Sequence, residues 1–209
     1  MRTPAAVGWI KPALFLLCLA PAIDLAHGAW ANTLGVNPLE TLTRSTGTWT
    51  LRFLLLTLMI TPLIRLIRAP ALLRYRRMLG LFAFFYASVH LGTYLWFDKF
   101  FDLQEIWLDI QDRLFITAGM TAFALLVPLA LTSTRRAQRA LGNTWNRLHR
   151  LIYVATAAGL LHYFWLVKAD YLEPIVYTSI FAGLMLARIR KGTAVSAPGA
   201  FSKEYRVPD

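Results

Sequence analysis

Six runs of about twenty apolar residues constrain the fold of this chain more than any other feature of its sequence. They fall at roughly residues 8–27, 47–65, 78–97, 113–132, 150–167 and 171–189. A helix of that length crosses about 30 Å of hydrocarbon at about 1.5 Å per residue. None of the runs alternates between polar and apolar residues, as the strands of a membrane barrel do. The sequence therefore predicts an all-α integral membrane protein that forms a six-helix transmembrane bundle.

The basic residues are unevenly distributed between alternate loops, and this sets the predicted orientation. If both termini are cytoplasmic, 17 of the 22 Lys and Arg residues lie on the inner side and nine of the 11 acidic residues on the outer side. This distribution follows the positive-inside rule. We therefore predict cytoplasmic termini and attribute the net charge of +11 to membrane orientation rather than to nucleic-acid binding. Because only 16% of the residues are charged, a soluble domain is excluded.

The chain is predicted to form one membrane domain, residues 1–191, with a disordered cytoplasmic tail at 192–209 that contains Gly, Pro and Ser. The first apolar run has no convincing cleavage site, so we interpret it as a retained helix. A single cysteine, Cys18, excludes a disulfide framework and a thiolate metal cluster. The sequence shows no internal repeat, and little of it lies outside the membrane. Any catalytic domain is therefore expected in a partner.

Two of the four histidines fall within predicted spans at matching depth. His90 follows the basic cluster that ends at Arg77 by 13 residues, and His162 follows Arg150 by 12. Both stand roughly 18–20 Å from the inner charge line. Imidazoles within hydrocarbon are rare and need a partner, and haem iron suits two histidines on neighbouring helices. We predict His90 and His162 as axial haem ligands; the alternative is a pair of hydrogen-bonded bundle residues.

His149 and His27 receive other interpretations. His149 lies 13 residues before His162, about 20 Å lower, and about 140° away around an ideal helix. A second, inner haem would need a histidine low on the third helix, where Arg76 stands, so one haem is favoured and a second is possible. His149 is a candidate for binding a flavin, a haem propionate or a lipid headgroup, or is an interfacial residue. His27, near the outer end of the first span, is interpreted as interfacial.

Several motifs resemble those of a known membrane family. Residues 77–81 and 86–91 look like the third helix of the ferric reductase-like transmembrane superfamily, which includes the NADPH oxidases. Within it, the chain is closest to the haem-binding membrane subunits of bacterial methionine sulfoxide reductase systems. The segments that carry this closer resemblance are Gly47-Thr48, Arg52-Phe53 and Thr61–Arg65, then Leu131–Thr134, Leu141–Tyr153 and His162–Trp165. The resemblance covers nearly the whole chain up to about residue 190.

The resemblance implies a membrane cytochrome b in the bacterial inner membrane, with haem b and FMN as cofactors. Its partner would be MsrP, a periplasmic molybdopterin enzyme that reduces methionine sulfoxide in oxidised proteins. Its electrons would come from the quinone pool or from a cytoplasmic flavin reductase. By this resemblance, His90 and His162 would be the haem iron ligands, and His149 would occupy the position of the third conserved histidine of the family. No substrate chemistry is expected of the chain itself, so it would be an electron-transfer subunit of an oxidoreductase complex.

The chain departs from the oxidases at two points. Arg76 stands where they have an additional histidine, and we expect no counterpart of their cytosolic FAD and NADPH domain. Two alternative functions therefore stay open. One is a membrane cytochrome b that serves another acceptor, such as ferric iron. The other is a non-redox transporter, for which Arg52 inside the second span is the sole intramembrane charge of note.

Overall fold

Every regular element of the computed structural model, which describes residues 5–189, is helical. In chain order the helices are α1 Ala5–Trp30, α2 Pro38–Ile67, α3 Leu73–Thr93, α4 Leu103–Asp112, α5 Leu114–Leu131, α6 Arg135–Leu141, α7 Asn143–Leu148, α8 Leu151–Leu166 and α9 Leu172–Ile189. A 3₁₀ turn, Pro70–Leu72, precedes α3, and a π-helical turn, Tyr94–Asp98, continues it. The prediction of an all-helical fold is confirmed for the described residues. The predicted tail at 192–209 lies outside them.

Four helical segments within residues 5–189 are long and apolar enough to cross a membrane. They are Trp9–Trp30, Pro38–Ile67, Pro70–Asp98 and Leu114–Leu131. The fifth and sixth predicted spans correspond to α8 and α9, which contain 16 and 18 residues. At about 1.5 Å per residue, these helices are about 24 and 27 Å long. The structure thus supports a helical membrane protein, while the count of six spans and the cytoplasmic termini stay predictions.

Helix α2 begins nine residues before the predicted start of the second span. The side chain of Asn37 accepts a hydrogen bond from the Glu40 amide at 3.2 Å, and Pro38 takes the first helical position. Both features favour a helix start. The hydroxyl of Thr46 donates to the Leu42 carbonyl one turn back, at 2.8 Å, so this polar residue is compatible with a helix. The connection between the first two predicted spans, residues 28–46, is therefore mostly helical.

The core consists of two pairs of helices. Helix α2 packs along α3, and α5 packs along α8, while α1 lies against α2 and α3, and α9 against α2 and α8. Ala83 on α3 and Ala155 on α8 are fully buried, as are Leu54 and Leu58 on α2. Small residues at such positions allow helix backbones to approach closely in a bilayer. The two pairs meet where α3 packs on α5 and where α2 packs on α8.

Candidate functional site

The structure brings His90 on α3 and His162 on α8 together in the middle of the bundle. Their ring centroids are 6.0 Å apart, and the ring planes are inclined by 79°. The two side chains are only partly exposed. A metal ion that bonds two imidazole nitrogens at about 2 Å each requires ring centroids roughly 6 Å apart. The separation of the rings therefore matches that of two ligands on one metal ion.

Each histidine also forms a hydrogen bond that leaves its second nitrogen available. The Nδ1 atom of His90 lies 2.9 Å from the carbonyl oxygen of Thr43, and Nδ1 of His162 lies 2.6 Å from that of Phe115. A carbonyl oxygen only accepts hydrogen bonds, so Nδ1 must carry the proton in both rings. The unprotonated Nε2 is then the atom that can bind a metal, as in metal sites where the second ring nitrogen is held by a backbone carbonyl.

Two glycines give the imidazoles their space. A Cβ atom at Gly47 of α2 would lie 3.0 Å from Cε1 of His90. At Gly119 of α5 it would lie 2.8 Å from Nδ1 of His162. Real Cβ atoms are almost never as close as 2.8 Å to another heavy atom, so a larger residue at Gly119 would displace the ring or the helix. The contact at Gly47 is tighter than most, and the ring would have to shift there by a few tenths of an ångström. Sequence reasoning overlooked both glycines, since only the packing shows which helix faces each histidine.

A cavity of about 900 Å³ contains both histidines. Its wall includes apolar residues of α2, α3, α5 and α8, such as Leu54 and Phe123, and it extends to charged residues near the connection that follows α8, among them Lys168 and Glu173. A mostly apolar cavity of this size fits a large planar cofactor. The donor atoms, their tautomer and the surrounding volume all suit a haem held by His90 and His162.

The other two histidines lie elsewhere. His149 caps the end of α7, where its ring stacks on Trp145 with centroids 3.9 Å apart, and its Nδ1 lies 3.1 Å from the Trp145 carbonyl. Its Nε2 is buried without a hydrogen-bond partner in the described part of the chain. Burial lowers the pKa of His149, although the hydrogen bond to Trp145 opposes the shift. His149 is not among the described residues that line the cavity, and His27 is exposed in the last turn of α1.

Comparison with known proteins places this site in a family. The chain matches the family model described as "Ferric reductase like transmembrane component" over residues 46–160, more than half of its length. The matched region includes His90 and ends two residues before His162. No solved structure matches the chain. The helical bundle that carries the two histidines is therefore a membrane component of the ferric reductase-like class.

Relatives with known names indicate which group of this family the chain resembles. Proteins named "Protein-methionine-sulfoxide reductase heme-binding subunit MsrQ" are similar to nearly the whole chain. The one from Azospira oryzae is 50% identical over 94% of this chain and 85% of its own length. Those from Caulobacter vibrioides and Bordetella pertussis are 47% and 45% identical and are covered over 86% and 97% of their lengths. The chain therefore belongs to the ferric reductase-like transmembrane family and, within it, to the MsrQ group.

Proposed function

We propose that this chain is a membrane cytochrome b that carries one haem b between His90 and His162 and passes electrons to a periplasmic methionine sulfoxide reductase. The observation that carries the proposal is the 6.0 Å separation of the two imidazole rings inside the cavity. Haem held by two histidines supplies reversible one-electron chemistry. The relatives' name supplies the second part of the proposal, because those proteins are haem-binding subunits of a methionine sulfoxide reductase.

The protein's own residues would fix the ligands and exclude water. The carbonyls of Thr43 and Phe115 hold each Nδ1 proton, so that both Nε2 atoms are unprotonated and available as ligands. Such second-ligand hydrogen bonds orient a histidine and raise its basicity. The apolar wall lowers the local dielectric, which affects the reduction potential of a buried redox centre. His149 takes no part in this ligation and stays a candidate for contact with a flavin or a lipid headgroup.

The proposed electron path runs from the cytoplasmic side to the periplasmic side of the bacterial inner membrane. The donor would be the quinone pool or a cytoplasmic flavin reductase, with FMN as a second cofactor near the arginine-rich inner face. Guanidinium groups match phosphate and other anionic oxygens in geometry. The acceptor would be the molybdopterin subunit MsrP, and the outcome would be repair of oxidised periplasmic proteins. In the proposed orientation, the cavity extends toward the outer connection near Lys168 and Glu173.

The test is the reoxidation of the reduced protein. Purified protein in proteoliposomes is reduced with a limiting amount of dithionite, and the reduced absorption band is followed after MsrP and a methionine sulfoxide peptide are added. We expect rapid reoxidation only when both are present, and none with His162→Ala. Ferric citrate in place of MsrP is the control acceptor. Reoxidation by ferric citrate but not by MsrP would contradict the proposed acceptor and establish the alternative cytochrome.

The transporter alternative has less support in the structure. Arg52 lies on α2 and is the charge that first suggested it. Its Nε donates to the Tyr177 hydroxyl at 3.0 Å, and its guanidinium lies 4.7 Å from the centroid of the Trp49 ring. A charge that is paired in this way need not line a transport path. Absence of haem from protein made in haem-supplemented cells would overturn the cytochrome proposal.

A further inference from the structure

The two histidines are held by contacts that recur at the same spacing. His90 bonds to the carbonyl of a residue 47 positions earlier, Thr43, and His162 to that of a residue 47 positions earlier, Phe115. Each histidine also faces a glycine 43 positions earlier, Gly47 or Gly119. A shift of 72 residues therefore converts these two contacts of His90 into those of His162.

The same shift of 72 residues relates most of the residues that line the cavity. Of its 32 lining residues, 24 form 12 pairs that stand 72 positions apart. Examples are Leu54 with Leu126, Ala87 with Gly159 and Asp98 with Asp170. Outside the cavity wall, the fully buried Ala83 and Ala155 are also 72 positions apart. The shift applies to both helices of each pair at once, so helical periodicity alone does not account for it.

We infer that the site is an internal repeat, in which the pair α2–α3 and the pair α5–α8 each supply one haem ligand. In each copy the second helix contributes the histidine. The first helix contributes a glycine and, one turn earlier, a carbonyl, and we call these two groups the seat of the histidine. Parallel repeats of this kind are related by an axis along the membrane normal. The sequence-based expectation of no repeat is thus revised. Few residues besides the glycine and the histidine are identical between the copies, because lipid-facing apolar residues interchange freely.

The repeat makes Gly47 and Gly119 positioning residues for the ligands. A methyl group at either position would crowd the imidazole, since it would lie 2.8 Å from Nδ1 of His162 or 3.0 Å from Cε1 of His90. The displaced ring would be a weaker haem ligand, while the histidine of the other copy would keep its position. This inference rests on the proposed haem function, but it concerns which residues place the ligands.

The experiment compares four glycine-to-alanine variants of the full chain. Gly47→Ala and Gly119→Ala alter the seats. Gly92→Ala on α3 and Gly183→Ala on α9 are matched controls, because nothing lies within 4 Å of a Cβ atom at either position. Alanine by itself favours a helix over glycine. We expect both seat variants to lose at least half of their low-spin, six-coordinate haem, whereas the controls match the wild type.

A second measurement covers the case in which a seat variant does not fold. In His162→Gly, added imidazole should occupy the space of the missing ring and restore the low-spin spectrum. Adding Gly119→Ala to that variant should weaken imidazole binding several-fold, and adding Gly183→Ala should not. Seat variants with the same spectra, imidazole affinity and midpoint potential as the controls would overturn the inference. Loss of haem from the wild type would instead overturn the proposed function.

Discussion

At the scale of single residues, the most strongly coupled charges lie beside α4. Lys99 Nζ is 2.9 Å from Asp109 Oδ2, and the two side chains are only 10% and 12% exposed. The Tyr94 hydroxyl donates to the same carboxylate at 3.1 Å. The hydrogen bond to Asp109 raises the pKa of Lys99, against the effect of burial. Burial alone would raise the pKa of Asp109, but the bonds from Lys99 and Tyr94 and the charge of Arg113 outweigh it and hold that pKa below its ordinary value.

These shifts predict how stability depends on pH. The lowered pKa of Asp109 contributes stability that is present above about pH 4, its unfolded value. That stability is lost as the pH falls through the lower folded value. Asp109→Asn should lower the melting temperature at pH 7, since Lys99 loses its nearer carboxylate and keeps Glu105 at 3.7 Å, at a cost of up to about 3 kcal/mol. Between pH 5 and pH 3 the wild type should lose more stability than the variant. Equal acid sensitivity in thermal melts of both proteins would contradict this.

At the scale of helices, a proline in α2 frees a backbone carbonyl that another helix then satisfies. Pro62 has no N–H to donate to the carbonyl of Leu58, four residues earlier in α2. The guanidinium of Arg188 on α9 donates to that carbonyl and, at 2.8 Å, to the Tyr153 hydroxyl of α8. The hydrogen bonds of Arg188 therefore connect α9 to α2 and α8, at a point where α2 lacks its own hydrogen bond.

A double-mutant cycle tests whether the hydrogen bond from Arg188 compensates for Pro62. Arg188→Met should destabilise the protein, because the Leu58 carbonyl is left without a donor within the bundle. In the background of Pro62→Ala, the alanine N–H can bond to Leu58, so the same change should cost clearly less. The measurement is the melting temperature of all four proteins in one detergent. Additive effects would show that Arg188 and Pro62 are not coupled.

In α1, which contains Pro21, a tyrosine of α3 interrupts the backbone hydrogen bonding. The Ala22 amide donates to the Tyr86 hydroxyl at 3.0 Å, and that hydroxyl donates to the Cys18 carbonyl at 2.9 Å. The fully buried hydroxyl is thus inserted into the hydrogen-bond ladder of α1, a known cause of helix bending.

Removing this hydroxyl should loosen α1 from α3 without affecting the haem ligands. Tyr86→Phe is expected to cost about 1–3 kcal/mol, the penalty for buried polar groups left unsatisfied. The exposed Tyr171 provides the matched control, Tyr171→Phe, for which no change is expected. Thermal melts and limited proteolysis of α1 provide the readout. Identical stability of the two variants would argue against a structural role for the inserted hydroxyl.

The sequence predicted the helices and the matching depth of His90 and His162 better than it predicted contacts. Apolar run length predicted the helices, and counting residues from Arg77 and Arg150 placed His90 and His162 at one depth, where the structure also brings them together. It did not predict the start of α2 at Pro38, because the threonines before Gly47 indicate a loop by composition although their hydroxyls bond along a helix. It also overlooked the repeat, since a 72-residue register becomes visible only when the same glycine, carbonyl and histidine contacts recur in three dimensions.

At the scale of the whole molecule, orientation is the property that connects the fold to the proposed electron path. Reporter fusions should show it, because alkaline phosphatase is active only outside the cytoplasm, whereas green fluorescent protein folds to a fluorescent form in the cytoplasm. A fusion at the C-terminus is expected to fluoresce, and a phosphatase fusion in the connection between α8 and α9 is expected to be active. The reverse pattern would contradict both the six-span orientation and the outward direction of electron transfer.

The central claim, one haem between His90 and His162, is tested most directly by counting haem in purified protein. The pyridine haemochrome assay and the dithionite-reduced spectrum are recorded for the wild type, His90→Ala, His162→Ala and His149→Ala. We expect about one haem b per chain, lost or converted to a high-spin form in the first two variants and retained in His149→Ala. Two haems per chain, with one lost when His149 is replaced, would contradict the single site, and an unchanged low-spin haem in both His90→Ala and His162→Ala would contradict the pairing itself.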